Sequence, residues 1–333
     1  MHPGKIALSC ACLAWLSACS KPAVKPTQTD AQLQQMAQMV FQPLPAPVPA
    51  TAEMVDLGRK LYFDGRLSRS GTISCNSCHA LDSYGVDGKP TSTGFKGQLG
   101  SRNSPTVYHA FLHLAQFWDG RSPTVEDQAM GPILNPVEMA MPNAAAVRAS
   151  LKKVPEYRQR FAAAFRDQKD PVNLTNAALA IGAFERGLIA PSRLDQFLQG
   201  DLQALTPPEK EGLKTFVQVG CASCHSGVAI GGNSYQKMGL KNPYPTKDTG
   251  RFQVTALEAD RGTFKVPSLR NISETGPYFH QGQLASLAEA VKAMGHYQLD
   301  TELTADQVTN LVTFLKALKG QLPRDYIAPP RLP

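Results

Sequence analysis

Two Cys-x-x-Cys-His motifs are the residues with the clearest chemistry in this chain of 333 residues. The motif residues are Cys75, Cys78 and His79 in the first and Cys221, Cys224 and His225 in the second. Two cysteines at this spacing lie on one helical turn, where each can bond a vinyl group of a haem, and the adjacent histidine can bind its iron. A zinc site or a redox-active cysteine pair is the alternative. Because both motifs end in histidine, we predict two covalently bound haem c groups.

The residue that fills the sixth position of each iron decides between electron transfer and catalysis. A strong ligand such as methionine or histidine closes the iron, whereas an empty position lets a substrate bind. For the second haem we predict Met294 as the sixth ligand. His296 and Tyr297 are alternatives in the same stretch, and a methionine of the hydrophobic core is the other interpretation of Met294.

Helical periodicity dominates the segments that must position these motifs. Apolar residues at spacings of three and four predict helices over residues 144–151, 156–165 and 175–189, and a further helix begins at Thr51. Capping boxes predict two more helix starts, at Thr206–Glu209 and Thr304–Gln307. Since no strand pattern of comparable length is present, we predict an all-α fold with long loops between the helices.

The same order of features occurs twice along the chain, namely a helix, a haem motif, a glycine-rich loop and further helices. We therefore predict two cytochrome c-like domains, over residues 51–200 and 201–333. The hydrophobic fraction of 42% and the charged fraction of 18% indicate neither a disordered chain nor a membrane bundle. The net charge of +7 favours an acidic partner or an anionic surface, or only sets solubility.

The first residues carry signals of export. The apolar stretch from Ile6 to Ala18 is too short to span a bilayer and is followed by Cys19. This pattern predicts a lipoprotein signal peptide over residues 1–18 and a lipid anchor at Cys19, with an ordinary secretory signal as the alternative. We expect a periplasmic protein, and Ser20 favours the outer membrane as the site of the anchor.

A proline-rich segment separates the signal from the folded body. Alternating prolines at 43–49 predict an extended chain, so residues 19–50 are interpreted as a tether with a short helical patch at 32–40.

Beyond the two motifs, four stretches resemble, in order, blocks of the bacterial di-haem cytochrome c peroxidase family. These are Arg102–Thr106, Ala115–Arg121, Gly131–Met139 and Pro267–His280. The family also includes the methylamine-utilisation enzyme that matures a tryptophan cofactor. The resemblance extends from about Thr51 to about Leu322, and it implies an enzyme that acts on hydrogen peroxide.

The resemblance also implies roles for particular residues. Glu138 and Gln128 match residues on the open side of the first haem, where a carboxylate can move a proton between the peroxide oxygens and an amide can orient peroxide. Trp118 matches a tryptophan that shortens the electron path between the haems. From residue type alone, Glu138 would be a solvated loop carboxylate, Gln128 a surface amide and Trp118 a core aromatic.

A calcium site between the domains is implied in the same way. Asn103, Thr275 and Pro277 match its ligands, the last two through backbone carbonyls, which suits a cation that prefers oxygen. His280 is expected near the same interface.

One position departs from the family pattern. Many members carry a histidine in the loop after the first motif, which closes the first iron until the second haem is reduced, and the matching residue here is Phe95. Because phenylalanine cannot bind iron, we predict a first haem that is open without reductive activation. His109 and His113, expected four residues apart on one helical face, are candidate substitutes.

Together these features predict a peroxidase that takes electrons singly from a small cytochrome c or cupredoxin. Nucleic acid is not an expected partner, and a homodimer is an open alternative. A maturation-type oxidase that modifies a partner protein, with tyrosine on the second haem, is one rival function. A di-haem electron carrier without enzymatic activity is the other.

Overall fold

The computed structural model describes residue 1, residues 28–47 and residues 50–333. The α-helices among these residues are α1 (Gln28–Val40), α2 (Ala52–Phe63), α3 (Cys75–Cys78), α4 (Val125–Leu134), α5 (Ala144–Lys152), α6 (Pro155–Ala164), α7 (Leu174–Glu185), α8 (Arg193–Leu198), α9 (Pro207–Gln218), α10 (Phe252–Thr255), α11 (Leu287–Leu299), α12 (Ala305–Ala317) and α13 (Arg324–Ile327). Two short strands, β1 (Tyr235–Lys237) and β2 (Thr263–Lys265), pair antiparallel. The fold is therefore built from helices and irregular loops, and this small sheet was not predicted.

The remaining regular structure consists of short 3-10 turns. They span Gly65–Leu67, Leu81–Ser83, Phe95–Gly97, Ala110–Leu112, Cys221–Ser223, Glu258–Asp260 and Ile272–Glu274.

The helices begin where the capping signals predict. The hydroxyl of Thr51 accepts a hydrogen bond of 3.3 Å from the backbone N–H of Met54 at the start of α2. Thr206 and Thr304 are the N-caps of α9 and α12, each in a capping box. The helix expected over 175–189 is α7. It ends at Glu185 because the backbone N–H groups of residues 187–189 donate to carbonyls only two or three residues earlier.

The buried apolar residues of the described chain form two hydrophobic cores. The first is formed by α2, α4, α5, α6 and α7, and it buries Tyr62, Phe161 and Phe184 completely. The second is formed by α1, α8, α9, α11 and α12 around three phenylalanines whose ring centroids are 5.3–6.3 Å apart. One haem motif lies beside each core.

A glycine allows two helices to cross closely in each core. Gly58 of α2 faces the carbonyl of Ala180 in α7, and a β carbon at this position would overlap that carbonyl. In the second core, Gly212 of α9 faces the carbonyl of Asn310 in α12 in the same way. Any larger residue would push the two helices apart and open the close-packed interior.

Helix α1 packs on the second core although it precedes the first core in sequence. Leu33 and Ala37 are buried there, and Gln34 donates a hydrogen bond of 2.6 Å to the carbonyl of Phe197. Residues 28–44 therefore lie on the folded body, which differs from the extended tether predicted over 19–50. The physical reason is the apolar pair one turn apart on α1, which covers α8.

The carboxyl-terminal residues pack on the first core. Leu322 and Ile327 are buried in it. Helix α1 thus packs on the second core, and the carboxyl-terminal residues pack on the first. Each core therefore contains a segment that lies outside the domain boundaries predicted for it.

The predicted signal peptide, Cys19 and residues up to 27 lie outside the described residues. Among the helices that the structure does describe, none combines the length and the apolar character needed to cross a membrane.

Candidate functional site

The first Cys-x-x-Cys-His motif opens onto a cavity. Helix α3 carries Cys75 and Cys78, and neither of them forms a disulfide. With His79 they line a cavity of about 440 Å³, a size typical of cofactor pockets. The two thiols that haem attachment requires therefore face one space.

His79 has the orientation and charge of an axial ligand. Its Nδ1 lies 3.3 Å from the carbonyl oxygen of Gly85, and donation to that carbonyl leaves the lone pair on Nε2. Burial lowers the pKa of His79, although nearby carbonyls oppose the shift, so the imidazole stays neutral as a metal ligand must. The hydroxyl of Tyr62 donates to the backbone carbonyl of His79 at 2.8 Å. These residues fit a covalently bound haem.

Glu138 and Gln128 line the same cavity. Gln128 lies on α4, and Glu138 lies in the turn that follows this helix. The side-chain amide of Asn135 donates to Oε1 of Glu138 at 2.7 Å. Burial raises the pKa of Glu138, while Arg121 and the bond from Asn135 oppose the shift. The structure thus brings both predicted residues into the cavity of His79.

Phe95 lies beside this cavity rather than in its wall. Its backbone N–H donates to the carbonyls of Val137 and Glu138, at 2.9 and 2.8 Å. The guanidinium of Arg69 lies 5.6 Å from the centre of its ring. Gly94 contributes to the wall instead, and a β carbon there would overlap the carbonyl of Val137. The ring of Phe95 therefore packs towards Arg69.

The second motif opens onto a second cavity. Cys221, Cys224 and His225 line a space of about 220 Å³, and neither cysteine forms a disulfide. Burial lowers the pKa of His225 to about 4, against the effect of the carbonyls of Ile230 and Pro267. Two cysteines and a neutral histidine are the same set of residues as in the first cavity.

Met294, the predicted sixth ligand, lies on α11 and lines the second cavity. The two alternative ligands, His296 and Tyr297, do not line this cavity. His296 is exposed, with Nδ1 2.8 Å from Oε1 of Glu302. Tyr297 packs edge-on against Tyr244, with ring centroids 4.9 Å apart. This arrangement favours Met294.

A second methionine in the wall of this cavity was not predicted from the sequence. Met238 lines the same cavity, and its Sδ lies 4.0 Å from Nε2 of Gln298. It follows β1 in an irregular segment, where no periodicity marks a residue as facing a site.

Trp118 lines both cavities. Its backbone carbonyl accepts a hydrogen bond of 2.8 Å from the N–H of Lys265 in β2. Its ring meets the ring of His280 edge-on, with centroids 6.3 Å apart. Trp118 thus belongs to the wall that the two cavities share.

The prediction that His109 and His113 share a helical face is wrong. His109 has a left-handed backbone, with φ of 63°, and it precedes the 3-10 turn that ends before an extended His113. Nε2 of His109 accepts a hydrogen bond of 2.9 Å from the N–H of Ala190, a contact distant in sequence that holds the ring in the core. His113 lines the second cavity, and neither residue lines the first. Neither is placed to close the first iron.

Asn103, Thr275 and Pro277 all line the second cavity. The side-chain amide of Asn103 donates to the carbonyl of Lys89 at 2.9 Å, so its Oδ1 is the oxygen left to face a cation. His280 is also in this wall, 2% exposed, and stacks on Phe264 with centroids 4.3 Å apart.

Two buried ionisable residues of the cavity walls carry no signal in the sequence. Glu185 is 4% exposed and lines the first cavity, where burial and the nearby charge of Glu126 raise its pKa to about 8. Lys265 is 7% exposed and lines the second cavity, where burial lowers its pKa to about 8. Their burial depends on contacts between distant segments.

The chain is similar to cytochrome c peroxidases and to a MauG-like protein. Residues 52–203 match the family model for di-haem cytochrome c peroxidase. The chain is 48% identical over 286 residues to the cytochrome c551 peroxidase of Nitrosomonas europaea, with 85% of each protein covered. It is 44% identical over 310 residues to that of Pseudomonas aeruginosa, with 89% of each covered. A crystal structure of a MauG-like protein associated with microbial copper homeostasis superposes with a TM-score of 0.75 at 31% identity, covering 87% of this chain and 95% of that one.

Proposed function

The chain belongs to the di-haem cytochrome c peroxidase family, and we propose that it reduces hydrogen peroxide to water in the cavity of His79. It is an enzyme, an oxidoreductase that acts on hydrogen peroxide. The observation that carries the proposal is the half-buried carboxyl of Glu138, whose pKa is raised, in the cavity that Cys75, Cys78 and His79 line. The reaction consumes one peroxide, two protons and two electrons and yields two waters.

The family implies two haem c groups, and each cavity supplies the residues to hold one. Cys75, Cys78 and His79 would hold the first, and Cys221, Cys224 and His225 the second. When bound, the first haem supplies an iron for peroxide and the second supplies electrons one at a time. We assign the two haems to two cytochrome c-like domains.

Glu138 is the acid and base of the reaction. Its carboxylate accepts a proton from one oxygen of hydrogen peroxide and returns it to the oxygen that leaves as water. The raised pKa of Glu138 lets this group exchange protons closer to neutral pH than an ordinary glutamate. Gln128 orients peroxide with its amide and adds no charge to the cavity.

His225 and Met294 would hold the second haem, which would supply electrons one at a time, and Trp118 would lie on their path to the first cavity. The position of Trp118 in both cavity walls supports this path. The donor is a small periplasmic cytochrome c or cupredoxin, and the net charge of +7 suits a donor with an acidic surface.

Phe95 would leave the first haem open in the fully oxidised protein, so no reductive activation would be needed. Two observations support this proposal. Phe95 offers no ligand atom, and its ring packs by Arg69 outside the cavity wall. His109 and His113 do not line the cavity either.

Calcium is a further proposed cofactor, held by Oδ1 of Asn103 and the carbonyls of Thr275 and Pro277. These are oxygen ligands, as calcium prefers, and the three residues line one wall. We also propose a periplasmic lipoprotein anchored at Cys19, in the outer membrane, with a homodimer as an alternative assembly. These last proposals rest on the sequence.

The maturation-type oxidase and the simple electron carrier are disfavoured. The first requires tyrosine on the second haem, but Tyr297 packs against Tyr244 rather than in the cavity wall. The second requires a closed first iron. Among its described lining residues the first cavity has no histidine besides His79, and its one methionine, Met139, is 3% exposed and belongs to the first hydrophobic core.

Electron paramagnetic resonance and optical spectra of the oxidised holoprotein test the proposal. We expect one high-spin and one low-spin haem, with the high-spin signal lost on addition of one equivalent of hydrogen peroxide. Steady-state oxidation of a reduced small cytochrome c should depend on peroxide. Two low-spin haems that do not react with peroxide until one electron is added would contradict the open first haem. No turnover in either state would contradict the peroxidase.

A further inference from the structure

The wall of the second cavity contains a buried ammonium group without a counter-charge. Lys265 is 7% exposed and lies in β2, where all three residues are buried. It forms no ion pair with any described carboxylate, and burial alone accounts for the lowering of its pKa. No Asp or Glu lines this cavity, so Lys265 carries the only formal side-chain charge of its described wall. A buried charge is costly unless an opposite charge meets it.

The polar partner of Lys265 is His113. Its Nδ1 lies 3.2 Å from Nζ of Lys265, and an ammonium can only donate. Nδ1 of His113 must therefore accept, which places the ring proton on Nε2. That Nε2 is buried and has no hydrogen-bond partner within residues 28–47 and 50–333. The cavity wall thus presents two donors, Nε2 of His113, which has no acceptor, and Nζ of Lys265, which has no carboxylate partner.

The position of His113 is fixed by its neighbours. The ring packs against Gly232, where a β carbon would overlap it. The N–H of the next residue, Leu114, donates to the carbonyl of Gly232 at 2.8 Å. His113 is therefore held against the loop that follows Cys224 and His225, beside the proposed haem site.

We propose that Lys265 and His113 bind the propionate carboxylates of the second haem. A haem c carries two such carboxylates. One would accept from Nζ of Lys265 and neutralise the ammonium, and the other would accept from Nε2 of His113, on the opposite side of the imidazole ring. The backbone N–H of Lys265 also donates to the carbonyl of Trp118 at 2.8 Å. The site would thereby join the edge of the second haem to the tryptophan of the shared wall. This inference rests on the proposed attachment of a haem at Cys221 and Cys224.

A crystal structure of the holoprotein tests the site directly. We expect a haem carboxylate oxygen within 3.2 Å of Nζ of Lys265. A nearest carboxylate oxygen beyond 3.5 Å would overturn the proposal. The haem content, counted from the pyridine haemochrome spectrum, separates this failure from a failure of the proposed function, since a protein with only one haem refutes the premise and not the site.

The reduction potential of the second haem gives an independent readout that does not involve turnover. Lys265→Met leaves the carboxylate without its cation, which favours the oxidised iron. We expect the equilibrium constant for reduction to fall at least tenfold, which is about 59 mV for a one-electron couple. Lys237→Met, at the exposed last position of the paired strand β1, is the matched control. A shift no larger than that of the control would refute the site. If Lys265→Met does not fold, the distance in the wild-type crystal still decides.

Discussion

The indole nitrogen of Trp118 donates a hydrogen bond of 2.9 Å to the backbone carbonyl of Asn103. Both residues line both cavities, and the N–H of Asn103 in turn donates to the carbonyl of His280 at 2.8 Å. The ring of Trp118 is therefore held in one orientation by backbone groups of two different segments. An aromatic ring that is fixed in this way has a constant distance to both cofactor sites.

Trp118→Phe tests whether this ring carries electrons. Phenylalanine keeps most of the apolar contact but loses the indole and its hydrogen bond to Asn103. We expect electron transfer between the haems to slow on the order of tenfold, a barrier increase of about 1.4 kcal/mol. Stopped-flow spectroscopy measures it as reoxidation of the reduced second haem after mixing with peroxide. Tyr235→Phe, whose ring contacts Arg251 instead, is the control, and equal rates in the two variants would exclude Trp118 from the path.

Glu138→Gln tests the proton transfer step. The amide keeps the shape of the side chain and its neighbour Asn135 but cannot exchange a proton. We expect kcat to fall by about 10²–10⁴-fold, the usual contribution of an acid-base group, with unchanged haem spectra. Steady-state peroxide consumption measures this loss. Glu211→Gln, an exposed position on α9, should leave kcat unchanged. A Glu138→Gln variant with wild-type kcat would remove Glu138 from the mechanism.

The stability of the protein should fall with increasing pH because of Glu185. Its pKa is about 8 in the folded protein against 4.5 for an ordinary glutamate, so the folded state holds its proton more tightly. The full contribution is present below pH 4.5 and is lost as pH rises to 8. The loss is on the order of 5 kcal/mol, at about 1.4 kcal/mol for each pH unit between the two values.

Glu185→Gln should remove this dependence. The variant cannot ionise, so we expect it to be more stable than the wild type at pH 9 and similar to it at pH 5. Urea unfolding of the holoprotein at the two pH values measures the difference. Parallel pH profiles for the two proteins would show that Glu185 is ionised in the folded state.

A buried ion pair should stabilise the second core. Asp195 of α8 binds the guanidinium of Arg270 with both oxygens, at 2.9 and 3.0 Å, and Arg270 is 1% exposed. Asp195→Ala leaves this guanidinium without a counter-charge, so we expect a loss of about 3–5 kcal/mol in the free energy of unfolding. Asp170→Ala, which breaks an exposed pair with Arg148, should have little effect. Equal losses in the two variants would contradict the role of burial.

The features that sequence predicts well are local ones. The capping hydroxyls of Thr51, Thr206 and Thr304 act within one turn, so the starts of α2, α9 and α12 follow from neighbouring residues. The two haem motifs are also local, since each combines its thiols and imidazole within five consecutive residues.

The features that sequence does not predict depend on distant segments. The spacing of His109 and His113 suggests a helix, but the N–H of Ala190 and the wall of the second cavity determine where the two rings lie. Lys265 resembles any surface lysine in the sequence, and only the pairing of its strand and the loop of Gly232 bury it. The propensity of a short segment contains no information about such contacts.

The packing of the described chain makes the two cores depend on each other's segments. The second core combines α1 with residues as far along the chain as Leu318. The first core includes Leu322 and Ile327, which follow the second haem motif. Cutting the chain between the two haem motifs would therefore yield two halves that each lack part of their interior.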